Sequence, residues 1–221
     1  MLLKTEIDNA ILNDAKTHKE ISEAIRRYEG DYPKALKPVP SDKENKDNII
    51  INLSKVIVDT GVHFLFGNGV EIQVDTDDET EEDIYLNDFW EQNEKDLFLI
   101  ELATMGAVAG HAFIRIHAPY DEYEYPVLEI LDPMNVSIYR NPFNTKEIKS
   151  FIINCVSMNP ISDGRNSNTL QYQEVIERNE QGTWTITKQI SELGGKNQVQ
   201  VESIDWPYEK PPIFHCKNLP S

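Results

Sequence analysis

The chain has 221 residues, 39% hydrophobic and 27% charged, which is enough apolar side chain for one sizeable domain, or a core with an arm. Lys and Arg number 21 against 38 Asp and Glu, leaving a net charge of −17. That balance argues against a surface built to grip nucleic-acid phosphates, where Lys and Arg must displace counterions, but it leaves room for a wall past which DNA slides without sticking.

Residues 5–29 predict helix in two pieces, because Thr17-His18-Lys19-Glu20 has the spacing of a capping box. Ile21, Ala24, Ile25 and Tyr28 then fall on one face, and Gly30 and Pro33 stop the second piece. Residues 33–46 hold three prolines among scattered charges, a linker composition. The division that follows is a helical arm and linker over 1–46 and a core over 47–221.

Residues 47–66 predict an amphipathic helix carrying Ile49, Leu53, Val56, Ile57, Phe64 and Leu65, with Gly67 suited to the left-handed position past its end. Val70, Ile72 and Val74 alternate with Glu71 and Gln73, as in a half-buried strand. The run Asp75 to Asp83 is nearly all acid. Thr80 and Asp83 have the spacing to cap a helix carrying Ile84, Tyr85, Leu86, Phe89 and Trp90. From Leu97 a further helix, 94–109, is apolar on nearly every side and is expected to be buried, with Gly110 ending it.

Beyond Gly110 the period changes to two. Strands are predicted at 111–118, 126–131, 135–139, 148–158, 170–178, 183–190 and 198–204, with a hairpin across Asn179-Glu180-Gln181-Gly182. Helices first and antiparallel strands second define an α+β fold.

Chemistry is sparse. Phosphate-loop, GxSxG and HExxH signatures are absent, and Gly67-Asn68-Gly69 follows a helix and lacks a third glycine, so it reads as a cap and turn. As a calcium loop, the acidic run puts Thr80 where glycine is needed and Leu86 where the bidentate glutamate belongs. His111 and His117 on one strand would lie roughly 20 Å apart, too far to share a metal. His215-Cys216 offers one ligand without a matching CxxC or HxxxH, and His18 and His63 read as structural or surface residues. Tyr120, Tyr123, Tyr125 and Tyr139 lie among Asp121, Glu122 and Glu124, which would repel a phosphate backbone. No catalytic, cofactor-binding or metal-binding residue is nominated, and no cofactor is implied. Cys155 and Cys216 are far apart, implying a reduced compartment, and Cys155 in the run FIINCV is expected to pack as a small hydrophobe. The opening carries no signal-peptide pattern, and no apolar run reaches the roughly 20 residues of a membrane span, so a soluble protein made in a cytoplasm is expected.

Several landmarks, in order, resemble the N-terminal half of tailed-bacteriophage portal proteins of the Gp6-like family. They are Tyr28-Glu29-Gly30 after a helix, then Asn52, Lys55, Val58 and Asp59 on the next, and Gly67-Asn68-Gly69-Val70 at its end. Gly106 to Phe113, Leu131-Asp132-Pro133 with Val136 and Ile138-Tyr139, and the later hairpin follow. Arg27-Tyr28 replaces the family's tyrosine doublet, and Asp31-Tyr32-Pro33 replaces a histidine-containing turn. The resemblance implies a wing portion whose stem, clip and crown lie beyond Ser221, as a fragment or a truncated prophage product.

It implies a structural virion protein and not an enzyme. Such a protein would form a ring, typically a dodecamer, at one capsid vertex, assembled in the host cytoplasm. Implied partners are further copies of itself, a terminase that docks during packaging, capsid and head-completion proteins, and double-stranded DNA in transit; no membrane is implied. Helices 47–66 and 94–109 would be the scaffold, with the acidic run as a subunit or capsid contact, and the fragment without its stem is compatible with a monomer. Competing readings are a metal-dependent hydrolase using the acidic cluster, a head–tail adaptor, or a carbohydrate- or protein-binding β module.

Overall fold

The computed structural model describes residues 4–31, 51–74, 80–120, 122–158, 169–179, 181–192 and 198–218. Four helices come first: α1 (Lys4–Glu29), α2 (Leu53–Phe66), α3 (Glu81–Gln92) and α4 (Lys95–Ala109). Strands β1 (His111–His117) and β2 (Val127–Leu131) follow, and a 3-10 turn at Pro133–Asn135 leads into β3 (Val136–Asn141) and β4 (Asn144–Met158). Then come β5 (Thr169–Arg178), β6 (Trp184–Glu192), β7 (Gln198–Trp206) and β8 (Ile213–Lys217). The α+β expectation holds, helices before strands.

Two compact units divide the chain: residues 1–18, 113–115 and 131–214 in the first, and 19–112, 116–130 and 215–221 in the second. The first is built on a five-stranded sheet of order β3-β4-β5-β6-β7, antiparallel at every pairing. Pleat alternation sorts its residues cleanly. Phe151, Ile176 and Ile186 stand opposite one another in register and pack with Phe113, Leu131, Trp184 and Ile213 into the main core. Ile152 and Val175, one step along, point to the other face and pack against Ile7 and Ala10 of α1.

Side chains of α1 also close the β3 edge. The Ile138 N–H donates to Asp14 Oδ2 (3.1 Å), and His18 Nε2 lies 3.1 Å from the Val136 carbonyl. An open sheet edge is a template for unwanted pairing, and here helical side chains occupy it. Tyr139 donates its hydroxyl to Glu6 (3.3 Å), with burial first and the Glu6 charge second raising the tyrosine pKa.

The hairpin between β5 and β6 forms where expected. Gly182 (φ 88°) supplies the left-handed residue, while Asn179 Oδ1 accepts from the backbone N–H of Gln181 (3.1 Å) and Thr183 (3.0 Å). At the same end of the sheet, the indole N–H groups of Trp184 and Trp206, paired across β6 and β7, donate to the carbonyls of Glu209 (2.9 Å) and Lys210 (3.0 Å), fixing the turn that leads to β8. A second, three-stranded sheet has the order β2-β1-β8.

Several expectations are corrected. The first helix is continuous through Thr17-His18-Lys19-Glu20, because no Pro or Gly interrupts it and apolar residues on both sides, Ala10 and Ile21, are buried. Residues 70–74 keep alternating burial but pair with no strand, so they are extended chain and not sheet. The strand β8 was not anticipated. Residues 47–50, the linker 33–46 and Asp75 to Glu79 lie outside the described residues.

Phe151 is 1% exposed at the centre of the core and Phe143 is 98% exposed on the β3–β4 turn. Phe151→Ala is expected to cost about 3–5 kcal/mol. Phe143→Ala should stay within about 0.5 kcal/mol. Urea unfolding followed by circular dichroism separates the two.

Candidate assembly surface

In the second unit, the end of α1 is joined to the start of α2 by residues that the sequence singled out. The last turn of α1 closes in a Schellman arrangement: the Asp31 N–H donates to the Arg26 carbonyl (2.9 Å) and the Gly30 N–H to the Arg27 carbonyl (3.2 Å). Gly30 has φ 81°, and a Cβ there would press on Asn52 Nδ2 at 3.1 Å. Glycine is required at this turn both by conformation and by the closeness of that amide.

Asn52 works in two directions. Its Oδ1 accepts from the Lys55 N–H (3.0 Å), capping α2, while its Nδ2 donates to the Tyr28 carbonyl (2.6 Å). One turn on, the Tyr28 hydroxyl donates to Asp59 Oδ1 (2.7 Å), and Lys55 Nζ donates to the same hydroxyl at 3.3 Å. The ammonium lies 4.4 Å above the Tyr28 ring centroid and 3.5 Å from Asp59 Oδ2. The hydrogen bond to Tyr28 first, and the Asp59 charge after it, raise the Lys55 pKa above its ordinary value. Tyr28, Gly30, Asn52, Lys55 and Asp59 therefore form one clip that sets where α2 begins and how it is turned.

How α2 is turned matters because it is apolar on two opposite faces. At 100° per residue, Val58, Val62 and Phe66 share one side while Leu53, Ile57 and Phe64 share the other. Val62 is buried, Val58 and Phe66 are half-buried, and α2 packs against α4. Leu53, Ile57 and Phe64 are 62%, 71% and 87% exposed. The amphipathic reading therefore holds only for the inward side, and the stripe expected to be buried faces outward.

The expectation for α4 is corrected in the same direction. Phe98 is its one fully buried side chain among the described residues, while Leu97 and Ile100 are exposed. Ile84 and Tyr85 on α3 are exposed as well. Gly110 does end α4 in the left-handed conformation (φ 80°). Gly67 does not end α2 that way: it is right-handed (φ −65°), and the left-handed residue is Gly69 (φ 77°). Glycine is needed at 67 because a Cβ would run into the carbonyl and ring of His63.

The remaining candidates are dispersed. Thr80 and Asp83 form the expected capping box of α3, which accounts for the end of the acidic run. His117 pairs with Glu129 (2.7 Å), and His111 instead meets His215. The rings of Tyr120 and Tyr123 meet at a tilt of 58°, whereas Tyr125 donates to Asp88 (3.0 Å), a hydrogen bond that raises its pKa. Cys155 is exposed, not packed in the core, because it sits toward the open end of β4; Cys216 is also an exposed free thiol. Arg115 and Glu174 form a largely buried ion pair (2.8 Å) beside Lys188 and Glu202, a row of alternating charge lining a cavity of about 250 Å³. Among the described residues no three His, Cys, Asp or Glu side chains are grouped to hold a metal, and no helix is long and apolar enough to cross a membrane.

What the geometry supplies, in the second unit, is an outward apolar helix stripe held in place by a polar clip. The family model for phage portal proteins of the SPP1 Gp6-like type matches residues 8–219, and the chain belongs to that family. The family is a structural one, and its members are virion components of genome packaging. No curated protein matches the chain.

Removing the clip is expected to cost stability without altering the first unit. Asn52→Ala should lose about 0.5–2 kcal/mol, the range for a lost N-cap. Because the folded Lys55 pKa is raised above 10.5, its contribution is complete below that value and disappears as pH rises through the raised value. Wild type should therefore lose stability relative to Lys55→Met as the pH is raised past 10.5, measured by denaturant titration at each pH.

Proposed function

We propose that this chain is the wing portion of a portal ring, and that the stripe Leu53, Ile57 and Phe64 is a contact through which neighbouring copies close it. The observation that carries the reading is the stripe itself: three large apolar side chains, all more than 60% exposed, on a helix clamped at its first turn. Ring closure requires a head-to-tail interface, in which one patch meets a different patch on the next copy, so the stripe needs no copy of itself opposite.

In the same reading, residues 1–46 are a helical arm and linker attached to a wing-like core of 47–221. The ring surrounds a channel at a capsid vertex through which double-stranded DNA enters and leaves. A terminase docks outside it during packaging and supplies the energy, while the portal catalyses nothing. The charge of −17 supports a channel wall that does not retain DNA. Assembly takes place in the host cytoplasm, with capsid and head-completion proteins as further partners.

Sedimentation velocity over a range of concentrations tests the contact. Wild type is expected to associate as concentration rises. The double variant Ile57→Asp/Phe64→Asp should remain monomeric, with unchanged far-ultraviolet circular dichroism and a melting temperature shifted little, since both side chains are exposed. Undiminished association in the variant, or its unfolding, overturns the assignment of this stripe.

A further inference from the structure

Two imidazoles separated by 104 positions meet in the second unit. His111 opens β1 directly after Gly110, whose left-handed turn ends α4, and His215 is the middle residue of β8. The Asn218 N–H donates to the Gly110 carbonyl (3.0 Å), tying the chain together beside them. His215 Nε2 lies 3.4 Å from His111 Nδ1, with ring centroids 5.2 Å apart and planes inclined at 67°. Both residues are half-buried.

At 3.4 Å the two ring nitrogens are within reach of a long hydrogen bond, beyond the usual range of about 2.7–3.2 Å for N–H···O. That separation also fits another geometry. With metal–nitrogen bonds of about 2.0–2.1 Å, two ligands of a tetrahedral ion stand about 3.3–3.4 Å apart. We propose that His111 and His215 form a two-histidine site for a borderline divalent transition-metal ion such as Zn²⁺, Cu²⁺ or Ni²⁺. Imidazole nitrogen selects these ions over Mg²⁺ and Ca²⁺, which prefer oxygen.

No third His, Cys, Asp or Glu completes a cluster among the described residues, so water fills the remaining positions and affinity is modest. His111 ligates through Nδ1 with its proton on Nε2, and His215 through Nε2 with its proton on Nδ1. Two neutral rings therefore bind without net proton release, while each ring protonated beforehand gives up one proton. An ion held this way bridges β1 to β8, two neighbours in the three-stranded sheet.

The test is calorimetric titration of the chain with ZnCl₂ at pH 7.5, paired with the electron paramagnetic resonance spectrum of added Cu²⁺. One ion per chain is expected, with nitrogen couplings from two imidazoles. His111→Gln and His215→Gln should each weaken binding by at least about tenfold, the scale on which lost support lowers metal affinity. His63→Gln and His117→Gln should leave it unchanged. Binding should also weaken as pH falls through about 6.5, where imidazole protonates. Absent binding, equal binding in His111→Gln and His215→Gln, or a spectrum showing a single nitrogen overturns the site. Should either variant fail to fold, the wild-type Cu²⁺ spectrum decides alone. None of these readouts depends on ring assembly.

Discussion

The helix α2 is apolar on two opposite sides, and its own chain covers one of them among the described residues. Val58, Val62 and Phe66 take the inward side, so Leu53, Ile57 and Phe64 are left in water. Burying three side chains of this size is worth about 1.5–3 kcal/mol each, or about 5–9 kcal/mol together. Association itself costs about 4–15 kcal/mol in lost freedom and ordering. In the proposed assembly the stripe alone would thus make a weak contact between two copies. A closed ring changes the sum, because the last copy gains two contacts on joining, and Leu97, Ile100 and Ile84 on the neighbouring helices add apolar surface.

In the proposed ring, weak repeated contacts would tolerate little angular error, and the clip would matter for that reason. Asn52 fixes α2 at its first residue by using both ends of one amide, so the start of the helix cannot slide without breaking two hydrogen bonds. Tyr28 then resists rotation about the helix axis, since its hydroxyl reaches Asp59 and its ring lies under Lys55. Apart from the half-buried bond from Asn52 to the Tyr28 carbonyl, these contacts are exposed, and they are individually small. Their value lies in direction. In the first unit side chains do the equivalent: residues on both faces of the five-stranded sheet pack into cores, and α1 side chains occupy its β3 edge.

Where the sequence was legible, the reason is local. Strand positions followed from alternation, the β5–β6 hairpin from turn residues, and the α3 start from the Thr80–Asp83 spacing, all decided within a few residues. The clip was half legible. Tyr28, Gly30, Asn52, Lys55 and Asp59 stood out as ordered landmarks, but that they touch across more than twenty residues is a tertiary fact. Apolar periodicity misled at α2 and α4 because it reports that a face avoids water, not whether its own chain or another covers it. Strand β8 escaped notice because Pro207, Pro211 and Pro212 read as coil, and what holds that turn is two distant indole N–H groups. The meeting of His111 and His215 was hidden for the same reason: strand neighbours distant in sequence leave no spacing to read.

Electrostatics restricts where copies of so acidic a chain can meet. Each carries −17, and like-charged surfaces repel within a Debye length of about 8–10 Å at ordinary ionic strength. The α2 segment is an exception on this background. Between Leu53 and Phe66 the Lys, Arg, Asp and Glu residues are Lys55 and Asp59, which lie 3.5 Å apart and cancel. Their pairing sits on the side away from Leu53, Ile57 and Phe64, so the outward stripe bears no net charge of its own. The residues that orient the helix thus also neutralise it, and under the proposed contact the apolar stripe is one place where a second copy would approach without meeting the acidic field of the first at close range.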